Sequence, residues 1–562
     1  MKKYNLLYTA LMLLTACFAS CEDMLTETPN SSYDKDGFFN TEAKAEMAIM
    51  GIYSSISDYR HYGYYEMAAH ASDDTYYLAR TGADNQIRDM VHYTTNATNE
   101  WVKWLWTLKY QGIDRANMTI SGIQGMAGYG EDNKSLLALE AEARFLRAFL
   151  AFDLVKYWGD VPFKTNYSSK YDEAFGARVN RELIYDRIVE DLNFAKSNLE
   201  WATAASSPER ATQGAARALL MRVWLQRAGY SLQQDGKMTC PDDATRKEYF
   251  EAVLDEWEEI QKNGYHGFYD GSYEDLFKSF SEGVLNSKES MFEIAFFHQQ
   301  GSRNGGAWGI YNGPLVAEAT GISPTEANNY MGRANGFFIT VPEWRAFFEE
   351  NDARRDVSIC TYRYSWKDKQ HVKEERNAGS WYPGKWRREW MTPETRNKNM
   401  NYGDVNLCVL RYADVVLMAA EAYNETGNTS EAWRLLNNVR RRAGATAYTD
   451  ANYEELMAAC KKNHTLPFIP DGDAQGKFRT ALYWERGFEL SFEGQRKFDL
   501  IRWGVLADAL KLFGEKSSVN QKENKPYPAY QNFVAGKHEL LPIPLAEIQS
   551  NPKLEGKNNP GY

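Results

Sequence analysis

Two groups of carboxylates in this chain have spacings that invite an acid–base reading. Asp73 and Asp74 stand side by side in SDDTYY, residues 72–77. Cleavage of a glycosidic bond needs two carboxyl groups about 5–9.5 Å apart across the sugar. Sequence neighbours tend to point apart, so this pair is poorly placed for that task. Glu485, Glu489 and Glu493 recur every fourth residue and are interleaved with Arg486 and Arg496. On a helix that spacing sets acids beside bases and reads as an ion-pair network. The eight histidines form no H-x-x-x-H pair and no triad pattern. DGDAQG, residues 471–476, lacks the remaining ligands of a calcium loop and reads as a turn. Cys240, Cys360, Cys408 and Cys460 include no C-x-x-C spacing, so neither a zinc nor a redox site is supported. The expectation is a chain with no catalytic residues, no metal and no cofactor.

Binding is what the composition supports. The chain has 16 Trp and 36 Tyr, more than a helical core of this size needs. Sugar rings lay C–H faces on indole and phenol rings, while their hydroxyls need acids, amides or arginine. Two stretches offer that mixture. DDTYYLARTGADN, residues 73–85, supplies Asp73, Tyr76, Tyr77 and Arg80. The glycine-rich middle of the chain supplies Trp308, Tyr311, Trp381 and Trp386, with Trp308 foremost. Trp101, Trp104 and Trp106 lie at helical spacing in EWVKWLWTLKY. There Trp106 and Tyr110 read as core, while Trp101, at the helix start, could be exposed. Trp158, Trp224, Trp433 and Trp503 read as core.

The net charge of −11 argues against nucleic acid, because no basic stripe offsets the phosphate field. It favours a neutral oligo- or polysaccharide over a sulfated one. Lys2 and Lys3, an apolar stretch from Leu6 to Ala16 and then small residues before a cysteine read as a lipoprotein leader. Leu14-Thr15-Ala16-Cys17 and Phe18-Ala19-Ser20-Cys21 both present a cysteine, and the first is the better lipoprotein box. No later stretch reaches 18 consecutive apolar residues, so the chain beyond the leader is not expected to span a membrane.

The elements that must position these residues are mostly helical. LLALEAEARFLRAFLAFDLVKYWGDVPF, residues 136–163, is apolar around much of its axis and reads as an inner helix ended by Gly159 and Pro162. RYADVVLMAAEAYNETGNTSEAWRLLNNVRRRAG, residues 411–444, reads as two antiparallel helices. Gly427 breaks the first, Thr429 or Ser430 caps the second, and Gly444 stops it. Such a pair matches a tetratricopeptide-like unit, and ATQGAARALLMRVWLQRAG, residues 211–229, supplies one helix of another. From about 265 to 404 helical periodicity fades, and ESMFEIAFF, residues 289–297, reads as a strand among long aromatic loops.

Taken in order, AEARFLRAFLAFDLVKYWGDVPF (141–163), ATQGAARALLMRVWLQRAG (211–229), RYADVVLMAAEAYNETGN with LLNNVRRRAG (411–444), ERGFELSFEGQRKFDLIRWG (485–504) and the closing LLPIPLAEIQSNPKLEGKNNPGY (540–562) resemble the RagB/SusD family of outer-membrane nutrient-binding lipoproteins. The resemblance spans almost all of the chain beyond the leader. CEDMLTETP, residues 21–29, looks like the family's lipidated start, and this selects Cys21. The resemblance implies a mainly α, tetratricopeptide-like scaffold carrying an irregular, partly β insertion. The expected layout is a signal peptide at 1–20, a lipidated tether at 21–40 and one domain from 41 to 562. Within that domain, repeat segments lie at about 41–264 and 405–510. The implied activity is capture of glycan on the outer face of the outer membrane and its delivery to a TonB-dependent SusC-like transporter. A helical-repeat adaptor for protein partners and an all-helical glycan-degrading enzyme are the alternatives.

Overall fold

The computed structural model describes residues 35–77, 83–297, 303–323, 330–392, 402–463, 466, 468–516 and 528–562. The fold is mainly α, as expected. Helices α1 (Glu42–Ile56), α2 (Glu100–Gln124), α3 (Lys134–Trp158), α4 (Arg181–Asn198), α5 (Gln213–Ala228) and α6 (Asp243–Asn263) are followed by α7 (Tyr412–Glu425), α8 (Thr429–Arg442), α9 (Tyr453–Asn463) and α10 (Ala474–Leu490). From α1 to α8 each helix packs on the next, and α10 packs on both α7 and α8. No described helix is long and apolar enough to cross a membrane.

Local chemistry sets the helix ends. Asn99 Oδ1 accepts from the Trp101 and Val102 amides at 3.0 and 3.2 Å and starts α2. Gly159, at φ 69°, stops α3. The α8 cap differs from expectation: Asn428, one residue earlier, accepts from the Glu431 amide at 3.3 Å, and Thr429 is already helical. Gly427 and Gly444, at φ 92° and 74°, break the chain on either side of α8 as the sequence predicts.

α3 is the inner helix. It packs against α2 and α4, so its charged residues need partners inside the stack. Arg144 pairs with Glu140 at 2.7 Å, Arg147 reaches Asp191 of α4 at 2.6 Å, and Asp153 meets Lys109 of α2 at 3.2 Å.

The longer strands that shape the central insertion and its contacts are β1 (Thr75–Tyr77), β2 (Ser290–Ile294), β3 (Phe338–Thr340), β4 (Tyr362–Lys367), β5 (Gln370–Glu375) and β6 (Leu407–Arg411). α6 and α7 are neighbours in the stack although the whole irregular segment separates them in sequence. That segment therefore leaves the stack after α6 and returns at α7. Antiparallel pairing of β2 with β6, from Ile294↔Leu407 to Ser290↔Arg411, ties its two ends together. All five β2 residues are buried. β4 and β5 form a hairpin whose two turn residues, Asp368 and Lys369, have φ of 49° and 60°, the twist that a two-residue hairpin loop requires.

Candidate functional site

The stretch between α1 and α2 meets the central insertion at two junctions. At the first, β1 pairs antiparallel with β3, setting Tyr76 opposite Ile339 and Tyr77 opposite Phe338. At the second, a wide helical turn at Tyr59–Gly63, broken at His61, receives the insertion backbone. The Ala307 amide donates to Gly63 O at 2.8 Å, and Gly306 and Gly403 exchange amide-to-carbonyl bonds at 3.0 and 2.7 Å. A Cβ at Gly63 would stand 2.9 Å from Gly305 O, closer than real Cβ contacts come. The glycines of NGGAWG thus permit backbone to lie against backbone.

Over these junctions runs a continuous ridge of aromatic rings. Tyr65 stacks on Trp101 with centroids 3.9 Å apart and planes 5° from parallel. Trp101 meets Tyr64 at 4.8 Å, Tyr64 stacks on Tyr311 at 4.1 Å, and Tyr311, Phe337 and Tyr77 follow at 5.1 and 5.7 Å. Tyr59 joins from the side, 5.0 Å from Tyr402. Beside the ridge the Arg60 guanidinium lies 3.9 Å over the Trp104 ring and is gripped by both Asp58 oxygens at 3.1 and 3.0 Å. Tyr59, Tyr65, Trp104, Phe337 and Tyr402 keep part of their surface exposed, while Tyr64, Trp101, Tyr77 and Tyr311 are buried beneath them. Burial, then the Glu100 charge, pushes the Tyr65 phenol up to about 12. Burial, then the adjoining Tyr311 hydroxyl, raises the Tyr59 phenol as well. Both phenols are neutral hydroxyls at physiological pH. The ridge therefore offers flat apolar faces edged by hydroxyls and one fixed cation.

The expected site residues divide in this geometry. Tyr311 and Tyr77 belong to the ridge, as buried supports. Tyr76 is buried and donates to Gly379 O at 2.9 Å, and Trp381, half-buried, donates to Arg376 O at 2.9 Å. Trp308 is core: it is 2% exposed, donates to Tyr62 O at 3.1 Å and leans on Trp386, itself 2% exposed, at 4.9 Å. Neither indole can stack on a ligand, because each fills the space where the insertion locks onto the stack. Asp73 is core too. It is fully buried, takes both arms of Arg496 at 3.0 Å and accepts from the Tyr483 hydroxyl at 3.2 Å. Asp74 faces Thr75 and the Phe492 amide, and burial, then the Asp73 charge, raises its carboxyl. Arg80 and Cys21 lie outside the described residues. Trp101, which at the helix start could have been exposed, is buried, and Trp104 is half-buried. Tyr59, Tyr64, Tyr65, Trp104, Phe337 and Tyr402 were not among the expected contacts. The density of YRHYGYY, residues 59–65, was the signal available for three of these aromatics and the adjoining arginine.

Glu485, Glu489 and Glu493 are ion-paired, but with partners from distant elements rather than with the interleaved Arg486 and Arg496, and Glu493 lies beyond the end of α10. Glu485 meets Arg354 at 2.5 Å and Arg440 at 2.8 Å; Glu489 meets Arg411 at 2.5 Å and Arg354 at 3.2 Å; Glu493 meets Arg411 at 2.7 Å and Lys385 at 2.5 Å. The sequence-adjacent arginines look elsewhere, Arg486 to Asp414 and Asp499 and Arg496 to Asp73. Among the described residues no group of three or more His, Cys, Asp or Glu side chains could hold a metal ion.

Two family models match this chain: "SusD family" over residues 288–562 and "Starch-binding associating with outer membrane" over residues 23–225. SusD-like protein P25 of Formosa agariphila is 26% identical over 566 residues, covering 98% of each chain. Among solved structures, a SusD homolog from Bacteroides thetaiotaomicron superposes with a TM-score of 0.75 at 26% identity, covering 94% of this chain and 98% of its own. Surface glycan-binding protein A of the same organism, solved in complex with laminarihexaose, superposes with a TM-score of 0.66 at 19% identity, covering 92% and 99%. With family models matching both halves, relatives aligned end to end and a shared helical stack with its inserted segment, the chain belongs to the SusD/RagB family.

Proposed function

We propose that this chain is a non-catalytic glycan-binding lipoprotein of the outer membrane, which captures a neutral oligo- or polysaccharide at the cell surface and passes it to a TonB-dependent SusC-like transporter. The observation that carries the binding reading is the aromatic ridge. Its exposed rings offer C–H stacking, and Arg60 and the phenol hydroxyls offer hydrogen bonds. Membership of a family whose model is described as starch-binding and associated with the outer membrane supports the address. Lipidation at Cys21 and the transporter partnership follow from the resemblance of the N-terminal and helical blocks. The ion-paired burial of the regularly spaced acids supports a non-catalytic role.

A shallow ridge implies micromolar to millimolar affinity, roughly −4 to −8 kcal/mol. The test is affinity electrophoresis of the purified chain through a panel of neutral glycans. Laminarin is included because a neighbour of this fold holds laminarihexaose. Retardation by at least one glycan, lost in Trp104→Ala, is the expected result. Retardation by none sinks the reading, and release of new reducing ends from any glycan revives the enzyme alternative.

A further inference from the structure

The far arm of the helical stack carries a second aromatic recess that shares no residue with the ridge. α8, the loop after it and the starts of α9 and α10 enclose a cleft of about 680 Å³, lined by Trp433, Tyr448, Asp450, Tyr453, Asp473 and Lys477. Small-ligand sites span roughly 300–1,000 Å³. Trp433 is only partly buried at the edge of the core, unlike Trp158, which is fully enclosed. The rings that meet it do so steeply: Tyr448 at 5.5 Å and 62°, Tyr453 at 6.0 Å and 79°, Phe478 at 5.1 Å and 84°. Among the described residues none lies flat on the indole. The sequence reading of Trp433 as plain core does not account for this.

The recess is also held rigid. Asn437 clamps the Tyr448 backbone on both sides, accepting from its amide at 2.7 Å and donating to its carbonyl at 2.9 Å. Asn452 and Thr449 cap each other across the next turn at 2.7 and 3.3 Å. The Tyr453 hydroxyl donates to Lys477 O at 3.1 Å, tying α9 to α10. Walls fixed before a ligand arrives reduce the ordering cost of binding. The rim is polar and of mixed sign. Asp450 and Asp473 are exposed, and Lys477, 45% exposed, stands 3.4 Å from Glu454. An indole floor with carboxylate acceptors and one ammonium donor suits a ring with C–H faces and many hydroxyls. The predominance of acids disfavours sulfated or uronic sugars.

We propose that this recess is a second carbohydrate subsite, taking one neutral pyranose or furanose ring against Trp433. It rests on the glycan-binding reading for its ligand class, but not on the ridge for its geometry. The full chain is labelled with 5-fluorotryptophan, and the Trp433 fluorine resonance is identified by its loss in Trp433→Phe. Laminarihexaose, maltohexaose, cellohexaose, mannohexaose and xylohexaose are then titrated in turn, into the wild type and into Trp104→Ala. A saturable shift of the Trp433 resonance with at least one probe, retained in Trp104→Ala and weakened at least threefold by Asp450→Ala, is the expected result. A shift that vanishes in Trp104→Ala overturns the second site, since Trp433 would then only report on the ridge. A Trp433 resonance unmoved by every probe while other tryptophans respond overturns it and leaves the glycan reading standing. A panel to which no tryptophan responds overturns both.

Discussion

The Tyr65 phenol lies flat on the Trp101 indole, 3.9 Å between centroids and 5° from parallel, with Trp101 buried and Tyr65 partly buried. The lower ring holds the upper one in place, so a glycan at the proposed site would meet Tyr65 already ordered. Stacking adds about 0.5–1.5 kcal/mol per ring beyond burial. Tyr65→Ala and Trp104→Ala are each expected to weaken binding of the best glycan about two- to tenfold by calorimetry, with melting temperature within a few degrees of wild type. Unchanged affinity in both variants would place the ligand elsewhere.

Trp308 behaves differently. It is enclosed, bonded to Tyr62 O and packed at a tilt against the core ring of Trp386. Removing a buried tryptophan costs about 3–5 kcal/mol. Trp308→Ala should therefore lower the urea midpoint and the melting temperature markedly. A variant of wild-type stability would show that the insertion does not depend on this indole.

The contrast marks what the sequence could reveal. The helices were legible because 3.6-residue periodicity, caps and glycine stops are local: α3, α5, α7 and α8 fall where the pattern puts them. The strand at 290–294 was legible from local alternation; of the Glu485–Glu489–Glu493 network only the ion-paired role was legible, since its partners Arg354, Arg411, Arg440 and Lys385 come from distant elements. The role of Trp308 was not, because NGGAWG reads alike whether its glycines give a loop freedom or let backbone approach backbone. Only the distant Gly63 and Gly403 decide between these. The ridge was missed because its exposed rings come from an irregular turn, a helix start and two points of the insertion, and no single period links them.

Glu489 tests the ion-pair network. It is fully buried, and burial alone would raise its carboxyl; Arg442, Arg411 and Arg354 outweigh that and hold it well below its ordinary value. An acid depressed by folding contributes stability above its unfolded pKa of about 4.3 and loses it as pH falls. Glu489→Gln leaves buried arginines short of a partner and should cost about 3–5 kcal/mol at pH 7 by urea denaturation. The difference from wild type should shrink below pH 4. A constant difference down to pH 3 would contradict the assignment.

Glu293 carries the opposite sign. On β2 it accepts from Asn406 at 2.9 Å, with its other oxygen unbonded. Burial, assisted by the Glu209 charge, pushes its carboxyl up to about 7. A raised acid gives its full stability below the unfolded pKa of about 4.3 and loses it as pH rises through 7. The ionised form should cost about 3 kcal/mol at pH 8, from a shift of between two and three units. Glu293→Gln should match wild type near pH 4 and exceed it by up to that amount at pH 8. Parallel stability profiles from pH 4 to 8 would rule this out.

The anchor and the partner can be tested together. The short apolar stretch before Cys21 is below the roughly 20 residues of a membrane span, so on the proposed reading retention at the membrane is expected to come from lipid. Mass spectrometry of the N-terminal peptide should find a modified Cys21, and Cys21→Ala should move the protein to the soluble fraction. A modified Cys17 would shift the assignment, since its box is the better match; an unmodified start would remove it. Mild-detergent purification of the lipidated protein should bring down a large plugged β-barrel of the 22-stranded transporter type. The Cys21→Ala form should recover less of it, because an anchored lipoprotein meets its transporter in two dimensions and a released one must find it in three. Equal recovery would mean that protein contacts alone hold the pair. Recovery of the lipidated protein without any barrel, with glycan uptake intact after its deletion, would exclude the transporter partnership.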